Sequence, residues 1–226
     1  MSLYEKSVLR VSHIEESTDL LGPYNRFVIW THGCCFDCEG CLATNTKAGS
    51  YQETNIWELA DIIAQSSCEG ITASGGEPFL QASALLELIR TVKAERDIGV
   101  IVYSGFTIDE IKSDKEKSNL LSVIDVLIDG KYIKELDDGR AYVGSSNQVI
   151  HYLTSRYRTV GEKYYSQKKR MAEIKLTPSQ AVLIGVPSKN VLKVRSSFPF
   201  LLQSRHPEAA VSFFFRHTAQ MGSTEA

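Results

Sequence analysis

Four of the five cysteines fall within eight residues, at Cys34, Cys35, Cys38 and Cys41, while Cys68 stands apart. Thiols crowded in this way suit metal binding better than a disulfide framework. The spacing Cys34-x3-Cys38-x2-Cys41 offers three thiolates. Four are needed to close an iron–sulfur cubane, so three would leave one iron open. A catalytic zinc site keeps one position free in the same way. Such an iron can take a substrate or cofactor through nitrogen and oxygen. Cys35-x2-Cys38-x2-Cys41 also matches the start of a ferredoxin run, but that run needs a fourth cysteine where Asn45 stands. Extended backbone points Cys34 and Cys35 in opposite directions, so one of the two faces away from a shared cluster. A zinc knuckle would need a second ligand pair, which only Cys68 or scattered histidines could supply.

The elements that must position this loop read as alternating strands and helices. Val8–Ile14 and Arg26–Thr31 read as strands, the second buried and leading directly into the cysteines. Asn55, with Glu58 three residues on, opens a helix carrying Ile56, Leu59, Ile62 and Ile63 on one side. Gly70–Ser74 is a short strand ending in Gly75-Gly76-Glu77-Pro78, and a helix follows from about Gln81 to Glu95. Gly99–Tyr103 is the next strand, Thr107 with Glu110 caps another helix, and Ile124–Ile128 ends at Asp129-Gly130. Alternation at this spacing implies parallel βα units, curling toward a barrel or an open doubly wound sheet. Further on, Tyr164–Ala172 reads as a short basic helix and Gln180–Gly185 as a strand. The apolar clusters Phe198–Leu202 and Phe213–Phe215 show no clear period.

The chain has 226 residues, 43% hydrophobic and 23% charged, enough apolar mass for a globular core. No stretch has the length and apolarity of a membrane helix, and no signal-peptide pattern appears, so the expected compartment is the cytoplasm. Charge is uneven. Residues 1–150 carry 13 Lys+Arg against 23 Asp+Glu, a net of −10; residues 151–226 carry 12 against 4, a net of +8. The basic part either docks an acidic partner or pairs with the acidic part of its own chain. No nucleic-acid-binding module is recognisable in it. We divide the chain into a core, residues 1–153, and a basic extension, residues 154–226.

The cysteine motif after one strand and Gly75-Gly76-Glu77-Pro78 after the next, in that order, resemble the radical S-adenosylmethionine (radical SAM) family. Gly33-Cys34, Cys38-Glu39-Gly40-Cys41, Tyr103-Ser-Gly-Phe-Thr107, Asp125-Val-Leu-Ile-Asp-Gly-Lys131 and Gly144-Ser-Ser-Asn-Gln148 are similar to the small activating enzymes of anaerobic ribonucleotide reductase. Together they cover about residues 25–153. Leu42-Ala43-Thr44-Asn45 departs from the aromatic-Asn pair usual after the third cysteine, and the residues after His151 exceed the compact activase.

The resemblance implies an α/β fold of the partial (β/α) barrel type, with the site built by loops at the carboxyl ends of strands. It implies a [4Fe–4S] cluster on Cys34, Cys38 and Cys41, with S-adenosylmethionine on the open iron and Cys35 dispensable. Gly75 and Gly76 would let backbone approach the methionine, and Glu77 would face its ammonium group. Gly40 and Leu42 would lie against the adenine. Ser104 would meet the ribose or simply form a turn, and Asp129 would lie near the cofactor. Cys68 reads as a structural thiol, His32 as a surface histidine or a tuner of the cluster, and His151 and Tyr152 as packing residues. The implied partners are a glycyl-radical enzyme as protein substrate and a flavodoxin- or ferredoxin-type reductant. Two other readings share part of this pattern: a small-molecule enzyme of the carboxy-deazaguanine synthase kind, and a non-catalytic iron–sulfur electron carrier. The first usually has a Gly-Glu-Gly turn where Leu21-Gly22-Pro23 stands; the second has no need of Gly75-Gly76-Glu77.

Overall fold

A computed structural model of the chain describes residues 7–140, 142–166, 170–176 and 181–186. The apolar clusters at 198–202 and 213–215 lie outside these residues. Seven strands form one mixed sheet in the order β3-β1-β2-β4-β5-β6-β7. Its centre is the parallel set β2 (Arg26–Thr31), β4 (Gly70–Gly75), β5 (Gly99–Tyr103) and β6 (Val126–Asp129). One side is completed by antiparallel β1 (Val8–Thr18) and β3 (Gln52–Asn55), the other by antiparallel β7 (Val149–Tyr152). The expected α/β class is therefore present. β3 was not anticipated: its residues are polar and carry no alternation, and pairing with β1 makes them a strand.

Crossovers between the parallel strands are helical. The short α1 (Asn45–Ala48), β3 and α2 (Ile56–Gln65) lie between β2 and β4; α3 (Ala82–Glu95) leads to β5, and α4 (Ile108–Ser113) with α5 (Lys115–Leu121) to β6. Local chemistry fixes their starts. The Asn55 side chain accepts from the Trp57 and Glu58 backbone N–H groups, and Thr107 with Glu110 forms a reciprocal capping box. The expected Glu58 half of the first box is absent, because Asn55 caps that helix alone.

Period-two alternation along each central strand divides the core in two. Phe27, Ile29, Ile71, Val100, Val102 and Leu127 face the helices, where they meet Leu59, Leu85, Leu88 and Leu120. Val28, Trp30, Ile101, Val126 and Ile128 face the other way. That second face is covered from beyond residue 153: by Tyr157, by Tyr165 of α6 (Arg158–Tyr165), and by Val182 and Ile184 of β9 (Ala181–Gly185), which pairs with β8 (Ala172–Leu176). The boundary drawn at 153 thus runs through a shared core. Of the helix expected over Tyr164–Ala172, Tyr164 and Tyr165 form the end of α6, where Tyr165 is buried, and Ala172 opens β8.

At the amino ends of the parallel strands Arg26 is fully buried. Its guanidinium donates to Thr72 Oγ1 at 3.1 Å, Glu69 Oε2 at 2.9 Å, the Tyr157 hydroxyl at 2.6 Å and the Ile71 carbonyl at 2.5 Å. A buried charge is tolerated only with such saturation.

Candidate functional site

The loops after β2, β4, β5 and β6 all leave the carboxyl ends of parallel strands, and they enclose one cavity of about 790 Å³. That volume falls within the range of small-molecule sites. Cys34, Cys38 and Cys41 line it, together with Gly40, Leu42, Gly75, Gly76, Glu77 and Ser104. Cys35 is exposed and is not part of the wall.

The cysteine loop is held by backbone first. Gly33 N–H donates to the Thr46 carbonyl at 2.7 Å, Gly76 N–H to Thr31 at 2.9 Å and Glu77 N–H to Gly33 at 2.8 Å. A Cβ at Gly75 would lie 2.7 Å from Thr31 N, and one at Gly76 would collide with the Gly33 carbonyl. The two glycines are therefore required by the close approach of the Gly75–Gly76 turn to the start of the cysteine loop. Charged contacts fix the loop's outer side: Lys47 meets Asp37 at 2.7 Å and Lys134 meets Glu39 at 2.5 Å.

Glu77 is 1% exposed. Its carboxylate accepts from Phe79 N–H at 2.9 Å, Ser104 Oγ at 3.0 Å and Gly105 N–H at 2.7 Å. Burial pushes it up to about 7, while these three donors pull the other way. Its first task is to tie the turn after β4 to the turn after β5. Ser104 serves the same tie, donating to Glu77 and accepting from Phe106 N–H at 3.0 Å. Phe36 packs on Gly105, edge-on to Phe106, so the tip of the cysteine loop rests on this turn.

Asp129 does not join the cavity wall. It is buried, accepting from Ile108 N–H at 2.5 Å and lying 3.1 Å from His151 Nε2. The next residue, Gly130, lines the wall. Gly130 is held by Gln148, whose amide donates to its carbonyl at 2.8 Å and accepts from Gly144 N–H at 2.8 Å. Cys68 is buried in the helix-side core, as expected of a structural thiol. His32 is also buried, outside the cavity, bonded to Ser12 at 2.9 Å and stacked on Tyr51. The sequence did not single out Tyr132, Asp137 or Arg170, which complete the wall.

Among the described residues, no three His, Cys, Asp or Glu residues converge closely enough to hold a single metal ion. Burial pushes the Cys34 and Cys41 thiols up, and metal binding is what favours their thiolate form.

Residues 20–151 match the model of the 4Fe-4S single cluster domain family, which supports an iron–sulfur protein. The chain is 38% identical over 143 residues to the anaerobic ribonucleoside-triphosphate reductase-activating protein of Vibrio cholerae, covering 91% of that protein and 59% of this chain. It is 34% identical over 138 residues to the corresponding protein of Enterobacteria phage T4, covering 85% of it and 57% of this chain. Against that of Escherichia coli K12 the identity is 30% over 144 residues, with 91% and 58% covered. The chain belongs to this family of anaerobic ribonucleoside-triphosphate reductase-activating proteins. Among the described residues, no helix is long and apolar enough to cross a membrane.

Proposed function

We propose that the protein is a glycyl-radical activase that uses a [4Fe–4S] cluster and S-adenosylmethionine. The observation that carries this reading is the placement of Cys34, Cys38 and Cys41, without Cys35, around one cavity with Gly75 and Gly76. In this reading the sheet is the open partial barrel of the radical SAM type. When bound, the cofactors supply reductive cleavage to methionine and a 5′-deoxyadenosyl radical, which takes a hydrogen atom from a glycine Cα of a partner reductase and becomes 5′-deoxyadenosine.

The chain's own residues bind, orient and exclude water. Cys34, Cys38 and Cys41 hold the cluster. The backbone at Gly75 and Gly76 receives the methionine end, and Glu77 with Ser104 keeps that turn in register with the next. Gly40, beside Tyr132, and Leu42 border the nucleoside end. The partner is an anaerobic ribonucleotide reductase, as the names of the relatives state for themselves. The electron donor is a flavodoxin- or ferredoxin-type protein.

The test is anaerobic reconstitution followed by dithionite and S-adenosylmethionine. The wild type should hold about four irons per chain, the complement of one cubane, and release 5′-deoxyadenosine. Cys35→Ala should do the same, and alanine at Cys34, Cys38 or Cys41 should abolish both. A protein that keeps its cluster but forms no 5′-deoxyadenosine is an electron carrier, and this reading is then wrong.

A further inference from the structure

Resting on the reading of the cavity as an S-adenosylmethionine site, we propose that Arg170, from beyond the family-matching span, is a positioning residue for its nucleoside end, acting through Asp137 on Tyr132. Residues 20–151 carry the family match, yet Arg170 lines the same cavity as the cysteines. Its side chain and that of Asp137 are only 7% and 9% exposed. The guanidinium grips Asp137 with both ends, Nη2 to Oδ1 at 2.6 Å and Nη1 to Oδ2 at 3.2 Å. Its Nε donates to the Arg140 carbonyl at 3.1 Å and Nη2 also to the Gly144 carbonyl at 3.1 Å. One planar fork thereby gathers Asp137 and Gly144 of the cavity wall together with the Arg140 carbonyl, a task that suits arginine and not lysine.

Asp137 passes the constraint on. Its Oδ2 accepts from the Tyr132 hydroxyl at 3.4 Å, and the Tyr132 ring stands between two glycines. A Cβ at Gly144 would lie 2.8 Å from that ring, and one at Gly40 would lie 3.6 Å from it. Gly40 immediately precedes Cys41. A continuous path of contacts therefore runs from the extension to the cysteine loop. A second hold lies beside it: Tyr142, in the same wall at φ +63°, stacks on Tyr164 of α6 at 4.1 Å. An aromatic wall suits a flat nucleobase by stacking, whereas the amino-acid end of the ligand belongs to the cysteines and Gly75–Gly76. Without Arg170, Asp137 would lose the bidentate pair that orients its carboxylate, and Tyr132 would lose a fixed anchor.

The experiment measures binding of S-adenosylmethionine, S-adenosylhomocysteine and methionine to the reconstituted holoprotein by anaerobic calorimetry, with iron counted in each sample. Arg170→Ala and Arg170→Lys should weaken both adenosyl ligands on the order of tenfold, the scale of losing a supporting contact one layer out. Methionine affinity and iron content should hold. Asp137→Asn should behave alike, and the Arg170→Ala/Asp137→Asn double variant should be no worse than Arg170→Ala, because the pair acts as one unit. Should Arg170→Ala lose its iron, Arg170→Lys decides. Unchanged adenosyl affinity in an iron-replete variant overturns the proposal. So does an equal loss for methionine, which would signal general damage. A wild type that binds no S-adenosylmethionine defeats the cofactor reading itself, before any variant is compared.

Discussion

The two faces of the sheet are built from different materials. The helix side is aliphatic and assembled from neighbouring βα units: Ile71, Val100 and Val102 meet Leu85, Leu88 and Ile89, all fully buried. The opposite side is rich in aromatics and assembled from residues between Leu20 and Ile184, with Trp30 and Ile101 meeting Tyr142, Tyr157, Tyr165 and Ile184. The helix side makes the fold. The aromatic side adjoins the cavity, and Trp30, Tyr103 and Tyr142 belong to both. A change on the first should cost stability alone, whereas a change on the second should reach the site.

The largest expected effect comes from removing the extension. A compact core ending near residue 153 would be the simplest reading of the charge division. Truncation there strips Tyr157, Tyr165, Val182 and Ile184 from Val28, Trp30, Ile101, Val126 and Ile128, and takes the Tyr157 hydroxyl from Arg26. Exposed together, these side chains form an apolar patch that invites aggregation. We expect an insoluble or cluster-free product, read from soluble yield, thermal melting and iron content. A soluble, iron-replete and cooperatively melting fragment would show that the aromatic face is dispensable.

Next is Leu88→Ala on the helix side. Leu88 is fully buried and does not line the cavity, so a void left there should cost about 2–5 kcal/mol in denaturant unfolding. Iron content and adenosyl-ligand affinity of the folded protein should stay at wild-type values. A change in ligand affinity would mean that the two faces are coupled more tightly than their contacts indicate.

Tyr157→Phe makes a smaller cut on the aromatic side. It removes the hydroxyl that accepts from Arg26 and donates to Glu69. Both of those bonds are charge-assisted, but Arg26 keeps Thr72, Glu69 and the Ile71 carbonyl and Glu69 keeps Arg26, so the net loss should be about 1.5–3 kcal/mol. Urea unfolding of the metal-free protein measures it, and an unchanged midpoint would remove Tyr157 from the buried network.

How much of this was legible in the sequence follows the same division. β2 and β5 were read residue for residue, and the Thr107 cap was recognised, because alternation and capping are local signals. The crowding of the cysteines was legible too, and Cys34, Cys38 and Cys41 line one cavity while Cys35 is exposed. β3 was not, because Gln52–Asn55 is polar and acquires its structure only from β1. The aromatic side was illegible for a related reason. Val182 and Ile184 alternate over five residues only, and what they cover lies on strands more than fifty positions away. The partners of Asp129 were not legible, because a carboxylate at a strand end looks available, whereas His151 and the Ile108 N–H meet it. Tyr132, Asp137 and Arg170 were missed because no spacing rule joins residues that meet only after the extension folds back.

The smallest effect concerns the extension's charge. Lys175 lies 2.7 Å from Glu15 and 3.8 Å from Glu173; Arg156 meets Glu69 and Asp97, and Arg170 meets Asp137. Of the two readings of the basic part, pairing within the chain has these contacts in its favour. A cation already neutralised by a neighbour steers an acidic partner weakly. Lys175→Met should therefore shift stability by no more than about 1 kcal/mol, as partly exposed pairs do. It should leave both 5′-deoxyadenosine formation and radical transfer to a partner reductase unchanged at low and moderate salt. Transfer that falls in this variant while uncoupled cleavage holds, with the deficit greatest at low salt, would establish Lys175 as part of a docking surface. The aromatic face would then carry a basic outer side with a function of its own.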